Sequence, residues 1–246
     1  MVVRTRYLNN IGLPPQPAET EDRTIKTQAL TWEDRQRIIV LFIASFFVVL
    51  FWTAFEQAGS SMNVFALRHT NRIFGNFEIP ASWFLSINPA AIMIFAPLFA
   101  SLWLHLGRKG KEPHTLVKMG WGLILLGCGF GLMALGGQGA DKGLLVSPLY
   151  LVGAYLIITC GELCFSPVGL SLVTKLAPLK FSSLLMGTWF LANAAANKLA
   201  GILASTTDNI GSLTTFFSIF VISSISAGVL LLLLSSPLRK MTHGRG

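Results

Sequence analysis

Six apolar stretches, at 38–57, 83–106, 116–135, 145–165, 184–205 and 213–234, constrain this chain more than any other feature. A helix rises about 1.5 Å per residue, so roughly 20 apolar residues cross about 30 Å of hydrocarbon. None of the stretches alternates apolar with polar residues as a half-buried strand would, and lipid tolerates no open sheet edge. Hydrophobic residues make up 52% of the 246 and charged residues only 12%, more apolar surface than a water-soluble domain can hide. The expected fold class is therefore an all-α membrane protein with six transmembrane helices in one bundle.

Residues 1–36 are polar, of mixed charge, and carry Pro14, Pro15 and Pro17, which reads as a cytoplasmic linker and not as a signal peptide. The bundle is expected over 37–235 and a basic cytoplasmic tail over 236–246. Thr31-Trp32-Glu33-Asp34 has the pattern of a capping box, because a Thr hydroxyl can accept from the free amides of a first turn and an acid suits its positive end. The first helix should start there, ahead of the membrane, and its pattern continues to about Arg68.

A net charge of +8 invites a nucleic-acid reading, but the position of the nineteen Lys and Arg decides against it. With both termini inside, fifteen fall on inner segments, among them Arg108, Lys109, Lys111, Lys118, Lys175 and Arg239. The outer loops hold only Arg68, Arg72 and Lys142, and the remaining one is Lys198. That asymmetry is the positive-inside rule, so the charge orients the spans in a plasma or cell inner membrane with cytoplasmic termini. Basic residues interleaved with stacking aromatics are absent, and no nucleic-acid partner is expected.

Cys128, Cys160 and Cys164 fall within spans and read as small packing residues; no metal or disulfide is expected of them. The third span is rich in glycine, and Gly127 with Gly131 forms a small-xxx-small pair suited to close helix packing. Pro89, Pro97 and Pro167 fall inside spans and predict kinks.

Charged groups inside hydrocarbon are costly, at least about 2.5–3.5 kcal/mol each, so Glu56, Glu162 and Lys198 need a reason. An acid that can be neutral or charged is a proton carrier; the alternatives are an acid facing a watery vestibule, or one paired for assembly. Lys198 stands near the outer end of the fifth span, where it either snorkels to the surface or acts as a counter-charge for an acid or a substrate carboxylate. Trp189 and Asn193 share a helix face, and Asn88 precedes Pro89. Enzyme chemistry has no foothold: His69, His105, His114 and His243 lie in loops, turns or span ends, without a nucleophile elbow or a His-Glu-x-x-His motif.

The runs Phe51-Trp52-Thr53-Ala54-Phe55-Glu56-Gln57-Ala58-Gly59-Ser60-Ser61-Met62-Asn63, Ser86-Ile87-Asn88-Pro89, Gly161-Glu162-Leu163, Ser166-Pro167-Val168-Gly169-Leu170, Thr174-Lys175-Leu176-Ala177-Pro178 and Met186-Gly187-Thr188-Trp189-Phe190-Leu191-Ala192 closely resemble the proton-coupled oligopeptide transporter family. This is a branch of the major facilitator superfamily with twelve core spans in two bundles. The resemblance implies one bundle of a major-facilitator-type transporter, the carboxyl-terminal six spans. It implies that Glu56 couples to protons, that Glu162 receives a peptide's amino terminus, and that Asn88, Trp189 and Ser166 line the pocket. The implied coupling ion is H+, with no cofactor, and the implied substrates are di- and tripeptides carried by symport. What precedes the first span departs from the family pattern, so the expected partner besides the lipid membrane is an amino-terminal six-span bundle or a second copy of the chain. The alternative is a free-standing membrane protein, either a homodimeric carrier or a non-transporting subunit.

Overall fold

Helix α1 (Trp32–Phe55) starts at the capping box that its sequence encodes. In this computed structural model, which describes residues 30–244, the Asp34 N–H donates to Thr31 Oγ1 and the Thr31 N–H to Asp34 Oδ2, each at 3.2 Å. Arg37, one turn on, pairs with Glu33 at 2.8 Å. Most of the linker expected over 1–36, and the last two residues of the tail, lie outside the described residues.

One continuous helix to Arg68 is not what forms. α1 ends at Phe55, a 3-10 turn covers Glu56–Ala58, and α2 (Ser61–His69) begins after Ser60. A broken helix at membrane depth leaves carbonyls that something must satisfy. Here side chains do it: Ser60 Oγ donates to the Glu56 carbonyl at 3.1 Å, and the Tyr155 hydroxyl donates to the Ala58 carbonyl at 2.8 Å.

A short hairpin, β1 (Ile73–Phe74) with β2 (Phe77–Glu78), turns on Gly75 at φ 60°. A 3-10 segment, Ala81–Ser86, then leads into α3 (Ile87–Arg108). This places Pro89 in the first turn of α3, where the amides have no helical partner to lose. Pro89 is thus a helix start and not the interior kink expected, whereas Pro97 and Pro167 do lie inside helices.

The remaining elements are α4 (Thr115–Ala140), α5 (Leu149–Leu176), a 3-10 turn (Leu179–Phe181), α6 (Ser182–Ser205), α7 (Thr207–Ile210) and α8 (Leu213–Met241). The six apolar stretches thus become six long helices. Five of the spans are long and apolar enough to cross a membrane, α1 and α2 counting as one. The exception is α6, whose Asn193, Asn197 and Lys198 lower its hydropathy.

α4 is the hub, with α5 against one face and α8 against another. Its glycines set the distance. A methyl group placed on Gly161 of α5 would lie 2.7 Å from the Gly122 carbonyl, and one on Gly228 of α8 would lie 2.8 Å from the Gly120 carbonyl. Two turns further along α4, Gly129 meets Ile158 of α5 and Gly127 meets Ile225 of α8. Of the expected small-xxx-small pair, Gly127 makes such a close contact, whereas Gly131, one turn on, has open space beside it.

At the far end of α4, Asp141 reaches the start of α8. Its carboxylate accepts from the Leu213 N–H at 2.7 Å, the Thr214 N–H at 3.1 Å and Ser212 Oγ at 2.8 Å. Burial disfavours the charge there, but the bonds from Thr214, Ser212 and Leu213 outweigh it and hold the carboxyl below its usual range. A negative group at a helix start also meets the positive end of the helix dipole.

α3 is the outlier. Only 6% of its most apolar window is buried, and Met93, Ile94, Leu98 and Leu102 are exposed.

Because backbone faces backbone at Gly161, Gly161→Val should overpack the α4–α5 contact and cost about 1–3 kcal/mol. Gly131→Val should leave the thermal unfolding midpoint in detergent nearly unchanged, and equal losses for the two variants would refute the glycine-set contact.

Candidate functional site

The broken end of α1 and one face of α5 together position the two membrane acids. Glu162 projects from the middle of α5. Asn88, at the start of α3, donates its amide to Glu162 Oε2 at 2.9 Å and to Thr159 Oγ1 at 3.0 Å. Thr159 passes its own hydrogen to the Tyr155 carbonyl at 2.7 Å, and Tyr155 donates to Ala58 in the turn that carries Glu56. Residues 155, 159 and 162 are spaced i, i+4 and i+7, so they form one stripe on α5. That stripe ties the turn of Glu56 to the carboxylate of Glu162.

Asn88 occupies one oxygen of Glu162 and leaves Oε1 without a partner among the described residues. The Glu56 carboxylate has no hydrogen-bond partner among them either. Both acids are half-buried on a wall of the bundle, and neither lines the cavity between α3 and α5 or the one beside Asp141.

Ser166 continues the α5 stripe one turn beyond Glu162 and is half-buried. Trp189 of α6 is 6% exposed and packs over Gly169, the next position of that stripe, where an added methyl group would meet its ring at 2.8 Å. Asn193 turns back to donate to the Trp189 carbonyl at 3.0 Å. Lys198 is exposed on α6 and forms no ion pair with Glu56 or Glu162.

Four residues that matter for the geometry were not singled out from the sequence. Gln57 is fully buried, accepts from the Ser61 hydroxyl, and donates to the Ala200 carbonyl of α6 at 3.1 Å. With Thr53 Oγ1 donating to the Ala196 carbonyl at 3.4 Å, it fastens the broken end of α1 to α6. Tyr155 and Thr159 complete the link to Glu162, and their spacing before Glu162 was the available signal. No group of three or more His, Cys, Asp or Glu is placed to hold a metal among the described residues.

Residues 16–219 match the family model described as PTR2: POT family. The chain belongs to the POT family. Among its relatives, the uncharacterized transporter YclF of Bacillus subtilis is 44% identical over 82% of this chain and 39% of its own length. The peptide transporter YePEPT of Yersinia enterocolitica is 38% identical over 86% and 42%. A crystal structure of a peptide transporter POT in complex with sulfate superposes with a TM-score of 0.78 at 34% identity, covering 90% of this chain and 44% of that one. The chain therefore spans about two fifths of the length of these POT relatives, which are named as transporters. Membership makes it a multi-pass membrane protein.

Tyr155→Phe should leave the Ala58 carbonyl unpaired and cost about 1–3 kcal/mol in thermal or denaturant unfolding. A variant as stable as the parent would show that the turn does not depend on that bond.

Proposed function

We propose that this bundle forms the carboxyl-terminal half of a proton-coupled symporter for di- and tripeptides. The observation that carries the reading is the Asn88–Glu162 hydrogen bond beside Glu56, in a POT chain whose relatives include named peptide transporters. A peptide at neutral pH has an ammonium at one end, and a carboxylate with one free oxygen is a fitting receptor. Asn88 fixes the other oxygen and so aims Oε1. Trp189 supplies apolar surface that tolerates different side chains, and Ser166 a small polar group beside it.

Glu56 is the proton carrier in this scheme. It stands in a turn, with no partner fixing its charge state. A proton on Glu56 eases the arrival of a second negative charge nearby, and its release opposes that charge; this is a physical basis for coupling. The coupling ion is H+ and no cofactor takes part. The positive-inside rule supports a cytoplasmic position for the basic end of the bundle and for both termini, in a plasma or cell inner membrane.

Alternating access rocks two bundles about a central site. The acids here lie on an open wall, so the reading requires an opposing bundle, from an amino-terminal six-span unit or from a second copy. Lys198, exposed and unpaired with the acids, serves in this reading as a counter-charge for such a unit or for a substrate carboxylate.

The test joins this chain to an amino-terminal bundle from the Bacillus subtilis relative and reconstitutes it in vesicles. Glu56→Gln should abolish peptide accumulation driven by a proton gradient while sparing peptide exchange; undiminished accumulation would remove Glu56 from the coupling. Glu162→Gln should weaken apparent affinity about tenfold or more for peptides with a free amine, as expected for a charged hydrogen bond. An unchanged affinity for those peptides would rule out Glu162 as the amine receptor. The chain reconstituted alone should accumulate nothing unless two copies make the site.

A further inference from the structure

A cavity of about 660 Å³ opens at the basic end of the bundle, between α3 and α5, away from the acids described above. Its walls are apolar: Phe99 and Trp103 on α3 face Leu163 and Val168 on α5. Its mouth is charged. Lys118, Lys175 and Arg239 line it together with His114 and Glu112.

Glu112 satisfies only one of these cations. It pairs with Lys118, whose ammonium also sits 4.6 Å from the centre of the Trp103 ring. Lys175 and Arg239 have no carboxylate partner among the described residues. His114 adds an unused donor. Its Nδ1 accepts from the Leu116 N–H at 3.4 Å, so the neutral ring carries its hydrogen on Nε2, which is buried and has no partner. Burial, and then the charges of Arg239, Lys175 and Lys118, keep this imidazole below the usual histidine range and so in that neutral form.

The cleft therefore combines two uncompensated cations and a buried N–H donor with an apolar slot between α3 and α5. A small inorganic anion would use the charges and leave the slot empty. A molecule with a negative head and a hydrocarbon tail would use both. We propose that this cleft binds an anionic phospholipid, with its phosphate between Lys175, Arg239 and His114 Nε2 and an acyl chain along Phe99 and Trp103. Basic pockets between transmembrane helices suit such head groups, and each Lys or Arg near an anionic leaflet adds to the attraction. The lipid comes from the leaflet at the basic end, the cytoplasmic one under the orientation proposed above. It binds on the other side of α5 from the peptide site, so its presence does not depend on transport.

Trp103 makes binding visible. The purified chain in detergent is titrated with phosphatidylglycerol brominated in its acyl chains, and separately with phosphatidylcholine brominated in the same way. The phosphatidylglycerol should quench tryptophan emission more strongly at equal mole fraction, with the excess falling as salt is raised. Trp103→Phe should remove the excess. Lys175→Gln with Arg239→Gln should weaken the apparent affinity for phosphatidylglycerol about tenfold, while Lys175→Arg with Arg239→Lys retains it and so separates loss of charge from loss of fold. Equal quenching by the two lipids overturns the proposal, as does an excess that survives the double Gln variant. An excess abolished by millimolar inorganic phosphate also overturns it, since the cleft would then be a site for free anions.

Discussion

The need to satisfy every backbone polar group within hydrocarbon shapes this bundle most at one place, the break after Phe55. Unbroken helices meet the requirement by themselves. A break is possible only where side chains replace the lost helical bonds, and here Ser60 and Tyr155 take the carbonyls of Glu56 and Ala58 while Gln57 holds the turn against α6. The same bonds that make the break tolerable decide where the Glu56 carboxylate sits. Because Tyr155 lies on the α5 stripe that also holds Thr159 and Glu162, the two acids are positioned by one connected set of hydrogen bonds.

A rigid support stands behind that set. α4 meets α5 and α8 through glycines, so those contacts are made by backbone on backbone and by side chains such as Ile158 and Ile225 seated against backbone. Close contact of this kind leaves little room for sliding. Asp141 adds a polar fastening at one end, joining the last residue of the α4 turn to the first amides of α8. α5 is therefore presented to the candidate site by a stiff backing, and its stripe of functional side chains faces the other way.

Much of this was legible in the sequence. Length and hydropathy gave the six helices, because lipid forces a one-to-one relation between an apolar run and a span. The capping box at Thr31 was readable because its bonds are local. The acids Glu56 and Glu162 stood out because charge is rare in such runs, and Asn88 proved to touch Glu162 directly. What remained hidden depended on partners distant in sequence. The break after Phe55 follows from a hydroxyl 97 residues away, and Gln57 finds its acceptor 143 residues away. Spacing alone suggested Gly127 with Gly131, whereas the helices actually meet at positions seven apart, a period that appears only once the flanking helices are placed. Pro89 looked interior because the apolar run extends past the true start of α3.

The exposure of α3 has a mechanical meaning. The helix is held near one end by Asn88 on Glu162 and Thr159, and toward the other Trp103 lies under the Lys118 ammonium. Between those points Met93, Ile94, Leu98 and Leu102 are exposed, an apolar flank that lipid or another protein must cover. Whatever covers that flank, lipid or protein, therefore rests on the helix whose start carries the Asn88 contact to the Glu162 carboxylate.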